Sequence, residues 1–138
     1  MEFYQMPLFN KILVRDIEKA EKWYRHTLGF QSVFKFCNES NEVIMNHLRL
    51  EKYQDIMLIQ SDDFTSGNGC FINILVDEIE TIAKSISEKY VLQPLEQMPW
   101  NAKEMTIVDP DGYQITLTES NISDENFAKL MNSVSKNY

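Results

Sequence analysis

Few side chains in this chain of 138 residues can carry chemistry at neutral pH. The imidazoles are His26 and His47, the thiols Cys37 and Cys70. Neither pair has the spacing of a metal site or a redox motif. Both cysteines sit in apolar runs, where a free thiol is expected to behave as a small buried hydrophobe. His26 falls between turns of a predicted helix and is expected to be exposed. His47 lies in a predicted strand, as a donor facing a ligand or as a polar group satisfied by a neighbour; the second reading is favoured. Asp62 and Asp63 form a carboxylate pair that suits a cation, but in so polar a run they more simply keep a linker solvated. Glu18, Glu21 and Glu42 read as surface charges. Glu119 ends a strand, and is the first candidate for a lone ligand or base if that strand bulges inward. Asp109-Pro110-Asp111-Gly112 is the most motif-like piece, yet its residue types are those of a hairpin turn. The sequence contains no phosphate-cradling glycine loop and no nucleophile elbow.

Composition narrows the function classes. An apolar share of 43% in this length fits one compact domain with a real core. A formal net charge of -8 repels phosphate backbones and anionic lipid, so nucleic acid and membranes are poor partners. A cationic ligand would be attracted. No apolar stretch is long enough to span a bilayer, and the N-terminus lacks a basic region followed by an apolar run. The expectation is a cytoplasmic protein.

The elements that must position these residues come as a repeat. Phe9–Glu18 is echoed by Phe71–Glu80, with Phe9 on Phe71, Ile12 on Ile74, Leu13 on Leu75, Val14 on Val76 and Ile17 on Ile79. Each copy reads as a strand running into a helix. Asp16 caps the first helix, whose apolar set is Ile17, Ala20, Trp23, Tyr24 and Leu28, and Gly29 ends it. Strands are predicted over Gln31–Cys37, Val43–Leu50 and Tyr53–Ile59, and residues 61–69 form a linker. The second copy gives a strand at Cys70–Val76 and a capping box at Asp77 and Glu80. Its helical stripe is Ile79, Ile82, Ala83, Ile86 and Tyr90. An edge strand follows at Val91–Met98, interrupted by Pro94, then a hairpin through Lys103–Val108 and Tyr113–Glu119. The repeat persists there with Met45 on Met105 and Tyr53-Gln54 on Tyr113-Gln114. Ser123 is read as the cap of a terminal helix whose stripe is Phe127, Leu130, Met131 and Val134. The domain therefore divides into module one at about 7–60, module two at about 70–120, and a C-terminal helix at about 123–135. The fold class is α+β: two βαβββ modules forming a curved, cup-shaped mixed sheet.

A family resemblance rests on specific residues. They are Asp16-Ile17-Glu18-Lys19-Ala20, Trp23-Tyr24, Leu28-Gly29-Phe30, Pro99-Trp100, Asp109–Tyr113 and Ile115-Thr116-Leu117. In this order the chain resembles the vicinal-oxygen-chelate superfamily of glyoxalases, bleomycin-resistance proteins and extradiol dioxygenases, from about Leu8 to Glu119. The resemblance implies a metal ligand at the head of each module's first strand and a glutamate within the last strand. Those positions fall on Phe9, on Phe71 (with Cys70 one residue off) and on Thr116, with Ile56 as the first-module counterpart. Phenylalanine and isoleucine offer no lone pair, and a neutral hydroxyl is a poor ligand for a divalent ion.

The expectation is a small-molecule-binding protein close to the bleomycin-resistance branch, with no cofactor, no metal and no catalytic residue. It would sequester a cationic or aromatic compound such as a cationic antibiotic. The alternative is a metal-dependent lyase, isomerase or dioxygenase with ligands at shifted positions. Candidate ligand-binding residues are Phe9, His47, Phe71, Asn73, Trp100, Gln114 and Thr116. Relatives commonly complete their cavity across a dimer, so a homodimer is expected.

Overall fold

The structure, a computed structural model, describes residues 3–121 and 124–135. Module one runs β1 (Asn10–Val14), α1 (Ile17–Leu28), β2 (Gln31–Cys37), β3 (Val43–Arg49) and β4 (Asp55–Gln60). Module two runs β5 (Phe71–Leu75), α2 (Ile79–Ser85), β6 (Val91–Met98), β7 (Ala102–Val108) and β8 (Gln114–Ser120), and α3 (Asp124–Ser135) follows. The sheets have matching orders, β1-β4-β3-β2 and β5-β8-β7-β6. In each, the first strand lies parallel to the last and the other pairs are antiparallel. The fold is the α+β arrangement of two βαβββ modules expected from the repeat.

Local signals explain most of the elements. The Asp16 side chain accepts from the Lys19 N–H and caps α1, while Gly29 ends it with φ 85. β6 is an edge strand, and its pairing with β7 slips around Gln93 beside Pro94. The expected capping box at Asp77 does not form. The N-cap of α2 is Glu78, with φ 54 and no side-chain cap of its own. Glu119, from the end of β8, accepts the Glu78 N–H instead, and Glu80 pairs with Lys103. α2 stops at Ser85, and Tyr90 lies in a short 3-10 turn.

The faces of the strands are set by period two. Ile12, Val14, Leu48, Ile56 and Leu58 turn toward α1, and Ile74, Ile107, Ile115 and Leu117 occupy the matching places under α2. These residues and the helix stripes form one shared core. Ladder register fixes the structural repeat. Asn10 faces Ile56 as Ile72 faces Ile115, and His47 faces Met57 as Thr106 faces Thr116. Thr116 therefore corresponds to Met57 and not to Ile56, which is buried on the helix side. The sequence match of Met45 to Met105 is one residue out of register, and such a slip exchanges the two faces of a strand. Glu104 is the true counterpart of Met45.

The modules pack within one chain, through reciprocal contacts. Tyr113, just before β8, accepts from the Leu13 N–H and donates to the Leu13 carbonyl in β1. Gln54, just before β4, donates to the Leu75 carbonyl in β5. The Asp109–Gly112 turn is held by its own side chains: Asp109 Oδ1 accepts from the Asp111 and Tyr113 N–H groups. It also grips module one, because Tyr24 of α1 donates to Asp109 Oδ2 at 2.6 Å and the Arg15 N–H donates to Asp111. Gly112 has φ 95, and a Cβ there would lie 2.5 Å from Ser66 Oγ.

The expected burial of the two cysteines fails. Cys37 and Cys70 are both exposed, one at the end of an edge strand and the other beside the linker. On α3, Phe127 and Met131 are exposed, so the described part of the expected stripe is not covered by the body of this chain. The Ser123 cap and the Leu130 and Val134 side chains lie outside the described residues. Among the described residues no helix is long and apolar enough to cross a membrane.

Candidate functional site

Each sheet has a face turned away from the helices, and the two open faces differ in chemistry. On module two that face carries Phe71, Asn73 and Leu75 from β5, Gln114, Thr116 and Thr118 from β8, and Glu104 and Thr106 from β7. Thr106 and Thr116 are buried at its floor, with hydroxyls 2.8 Å apart. Thr118 donates to Asn73 Oδ1 at 2.9 Å. Phe71 stands beside this floor, 52% exposed. Trp100, in the turn between β6 and β7, is 58% exposed, and its indole N–H donates to Glu104 Oε1 at 2.7 Å. The result is a floor of hydroxyls and amides with the rings of Phe71 and Trp100 beside it and the carboxylate of Glu104, which Glu96 of β6 faces across the ladder.

On module one the open face carries Lys11 and Leu13 from β1, Asp55, Met57 and Ile59 from β4, Met45, His47 and Arg49 from β3, and Phe34 and Phe36 from β2. Its polar end is closed. The Asp55 side chain is 0% exposed. Its carboxylate takes His47 Nε2 at 2.7 Å, Arg49 Nε at 2.7 Å and the Tyr4 hydroxyl at 2.6 Å. Burial pushes the Asp55 pKa up, but the hydrogen bonds from Tyr4, Arg49 and His47 together outweigh it and hold the pKa below the ordinary carboxyl value. Asp109, at the junction between modules, shows the opposite balance. Burial outweighs the donors around it, and its pKa is raised.

Two cavities flank the seam between β1 and β5. One, of about 160 Å³, is lined by Phe9, Asn10, Phe30, Ile56 and Asn73 among others. The second, of about 190 Å³, lies beside Lys11, Cys70, Ile72, Tyr113 and Gln114.

The structure brings five of the seven expected ligand-binding residues onto or beside module two's open face: Phe71, Asn73, Trp100, Gln114 and Thr116. Phe9 is half-buried just before β1 and reaches the same region only through the seam cavity it shares with Asn73. His47 sits on the other module's open face, locked to Asp55. His26 is exposed on α1. Sequence reasoning missed Glu104, Thr106 and Thr118. Alternation along the hairpin, read in the correct register, places all three with Thr116. It also missed Asp55 and Tyr4, which come together from residues far apart in the chain.

The donor set does not fit the metal that the resemblance implies. Phe9 and Phe71 have no lone pair to give, and the Thr116 hydroxyl is engaged by Thr106. Among the described residues no three His, Cys, Asp or Glu side chains converge.

Comparison with known proteins bears on the fold and the family. Residues 8–117 match the model of the Glyoxalase/Bleomycin resistance protein/Dioxygenase superfamily. Among curated proteins nothing matches the chain. A solved member of that superfamily from Sphaerobacter thermophilus is 29% identical, with a TM-score of 0.65 over 81% of this chain and 94% of that one. TnmS3, an antibiotic binding protein from a Streptomyces species, is 18% identical, with a TM-score of 0.66 over 87% and 98% of the two chains. TioX from a Micromonospora species is 15% identical, with a TM-score of 0.67 over 81% and 96%. With the family model spanning both modules, the chain belongs to the Glyoxalase/Bleomycin resistance protein/Dioxygenase superfamily.

Proposed function

We propose that the protein binds and sequesters a small organic molecule on the open face of module two, without a metal and without transforming it. The observation that carries this reading is the pair Trp100 and Glu104. An exposed indole is oriented by a carboxylate beside a floor of hydroxyls and amides. An aromatic face next to a carboxylate attracts a cationic or planar aromatic guest, by stacking, cation–π attraction and charge. Phe71 supplies a second ring, and Asn73, Gln114 and Thr116 supply donors and acceptors that fix orientation. The surplus negative charge of the chain favours the same guest. TnmS3, similar in fold, is an antibiotic binding protein, and a cationic antibiotic is the ligand class proposed for this chain. A homodimer is part of the proposal. Phe34 and Phe36 expose rings on module one, and Phe127 and Met131 do so on α3, so a second copy has apolar surface to cover. The proposed setting is the cytoplasm.

The test has two arms. Protein purified without a metal-binding tag is offered zinc, nickel, manganese and iron(II), and bound metal is measured by elemental analysis. Stoichiometric uptake that Thr116→Ala or His47→Ala abolishes would sink the metal-free reading and favour an enzyme. A panel of cationic glycopeptide and aromatic antibiotics is then titrated while tryptophan fluorescence is followed. Saturable quenching that Trp100→Phe removes is expected. A flat response across the panel would contradict antibiotic binding.

A further inference from the structure

The N-terminal segment before β1 lies against module one's open face with the Tyr4 side chain inserted, and Met6 is half-buried as well. Tyr4 is half-buried, while Phe3, Gln5, Pro7 and Leu8 around it are exposed. The Tyr4 hydroxyl donates to Asp55 Oδ2 at 2.6 Å and accepts the Tyr53 N–H at 2.7 Å. Arg49 places its guanidinium 4.2 Å from the ring centroid, and the Tyr53 ring meets Tyr4 edge-on at 4.8 Å. Each feature of a phenol is therefore answered. A buried carboxylate accepts its hydrogen bond, a backbone N–H satisfies its oxygen, a cation lies over its face, and an aromatic edge packs beside it.

The partners come from the folded body. Asp55 begins β4, Arg49 ends β3, and Tyr53 sits in the turn between them with φ 68. Tyr4 comes from a segment outside both sheets, whose exposed neighbours give it little packing to rely on. The socket also adjoins the seam cavity of about 160 Å³, which shares Tyr53 and Asp55 and is walled by Leu8 and Phe9 of the same segment. Gln54 lines that cavity, and its Oε1 is buried without a hydrogen-bond partner among the described residues. Lifting the segment would open the socket and the cavity together.

We propose that the socket filled by Tyr4 is a binding site for phenol-bearing aromatic ligands, with the N-terminal segment as its tethered competitor. The site lies on the opposite module from the Trp100 face and does not depend on that face binding anything. A phenolic ligand enters by displacing Tyr4, so its apparent affinity is reduced by the fraction of time the segment is seated.

The probe is p-cresol, the side chain of tyrosine as a free molecule, with toluene as the comparison lacking the hydroxyl. Both are titrated by calorimetry into the wild type, Tyr4→Ala and Tyr4→Phe, with circular dichroism confirming the fold of each. Tyr4→Ala is expected to bind one p-cresol per chain, about tenfold or more tighter than the wild type and about tenfold tighter than it binds toluene. Asp55→Asn in the Tyr4→Ala background is expected to erase the preference for p-cresol. Absence of saturable binding by folded Tyr4→Ala, equal affinity for the two probes, or equal affinity in wild type and variant would each overturn the proposal. If Tyr4→Ala does not fold, Tyr4→Phe carries the test. It keeps the ring but lacks the hydroxyl, so its hold is weaker, and p-cresol is expected to bind it several-fold tighter than the wild type. Equal binding by Tyr4→Phe and the wild type would then refute the site.

Discussion

The two modules agree on one face and disagree on the other. Toward the helices, the buried pairs Ile12 and Ile74, Leu48 and Ile107, Ile56 and Ile115, and Leu58 and Leu117 hold the same places. On the open face, Met45 stands where module two has Glu104, His47 where it has Thr106, Asp55 where it has Gln114, and Met57 where it has Thr116. The core tolerates only volume-conserving exchange, because lost contacts in a packed interior cost stability directly. The open faces carry no such constraint and differ in chemistry. Module one closes its polar end around Asp55 with Tyr4. Module two leaves Trp100 and Phe71 exposed around a floor where the buried Thr106 and Thr116 hydroxyls bond to each other.

The contrast can be broken or sharpened by mutation. The largest effect is expected in the shared core: Leu58→Ala and Leu117→Ala should each cost about 2–5 kcal/mol in urea unfolding. A small cost for either one would show that the modules do not share equivalent packing. Next comes the junction. Tyr24→Phe removes the donor to buried Asp109 and should cost about 1–3 kcal/mol, with no comparable change in ligand binding.

A pH series separates the two buried carboxyls. The folded pKa of Asp55 is lowered, so its contribution is present above the unfolded carboxyl pKa and is lost as pH falls through the folded value. The folded pKa of Asp109 is raised, so its contribution is fully present below the unfolded value and is lost as pH rises through the folded value. Asp55→Asn should therefore flatten the acid end of the stability curve, and Asp109→Asn should remove a loss on the rising side. Identical curves for both variants and the wild type would contradict the assignment. The smallest effect is expected at Phe71→Asp. Half-exposed Phe71 should change stability by less than about 0.5 kcal/mol while ligand binding is lost.

Much of the fold was legible because it was written twice. The echo of Phe9–Glu18 at Phe71–Glu80 marked both strand-to-helix units, and Asp16 and Gly29 marked the limits of α1. The Asp109–Gly112 turn announced the last hairpin. The site was less legible, since it depends on strand facing. Matching Met45 to Met105 shifted module one by a single residue and placed Ile56 in the cup, whereas the ladder turns it into the core. Asp77 and Glu80 looked like a capping box, but Glu119 reached the helix end from another strand. Asp55 gave no sign of its partners. Tyr4, His47 and Arg49 converge on it only once three segments are folded together.

The central claim is that the ligand that quenches Trp100 is received on module two's open face. Methyl-resolved NMR tests it directly, using the panel compound that quenches Trp100. The account predicts shifts on titration at the methyls of Thr106, Thr116 and Thr118, with those of Met45 and Met57 left in place. Shifts centred on Met45 and Met57, with the threonines unmoved, would contradict it.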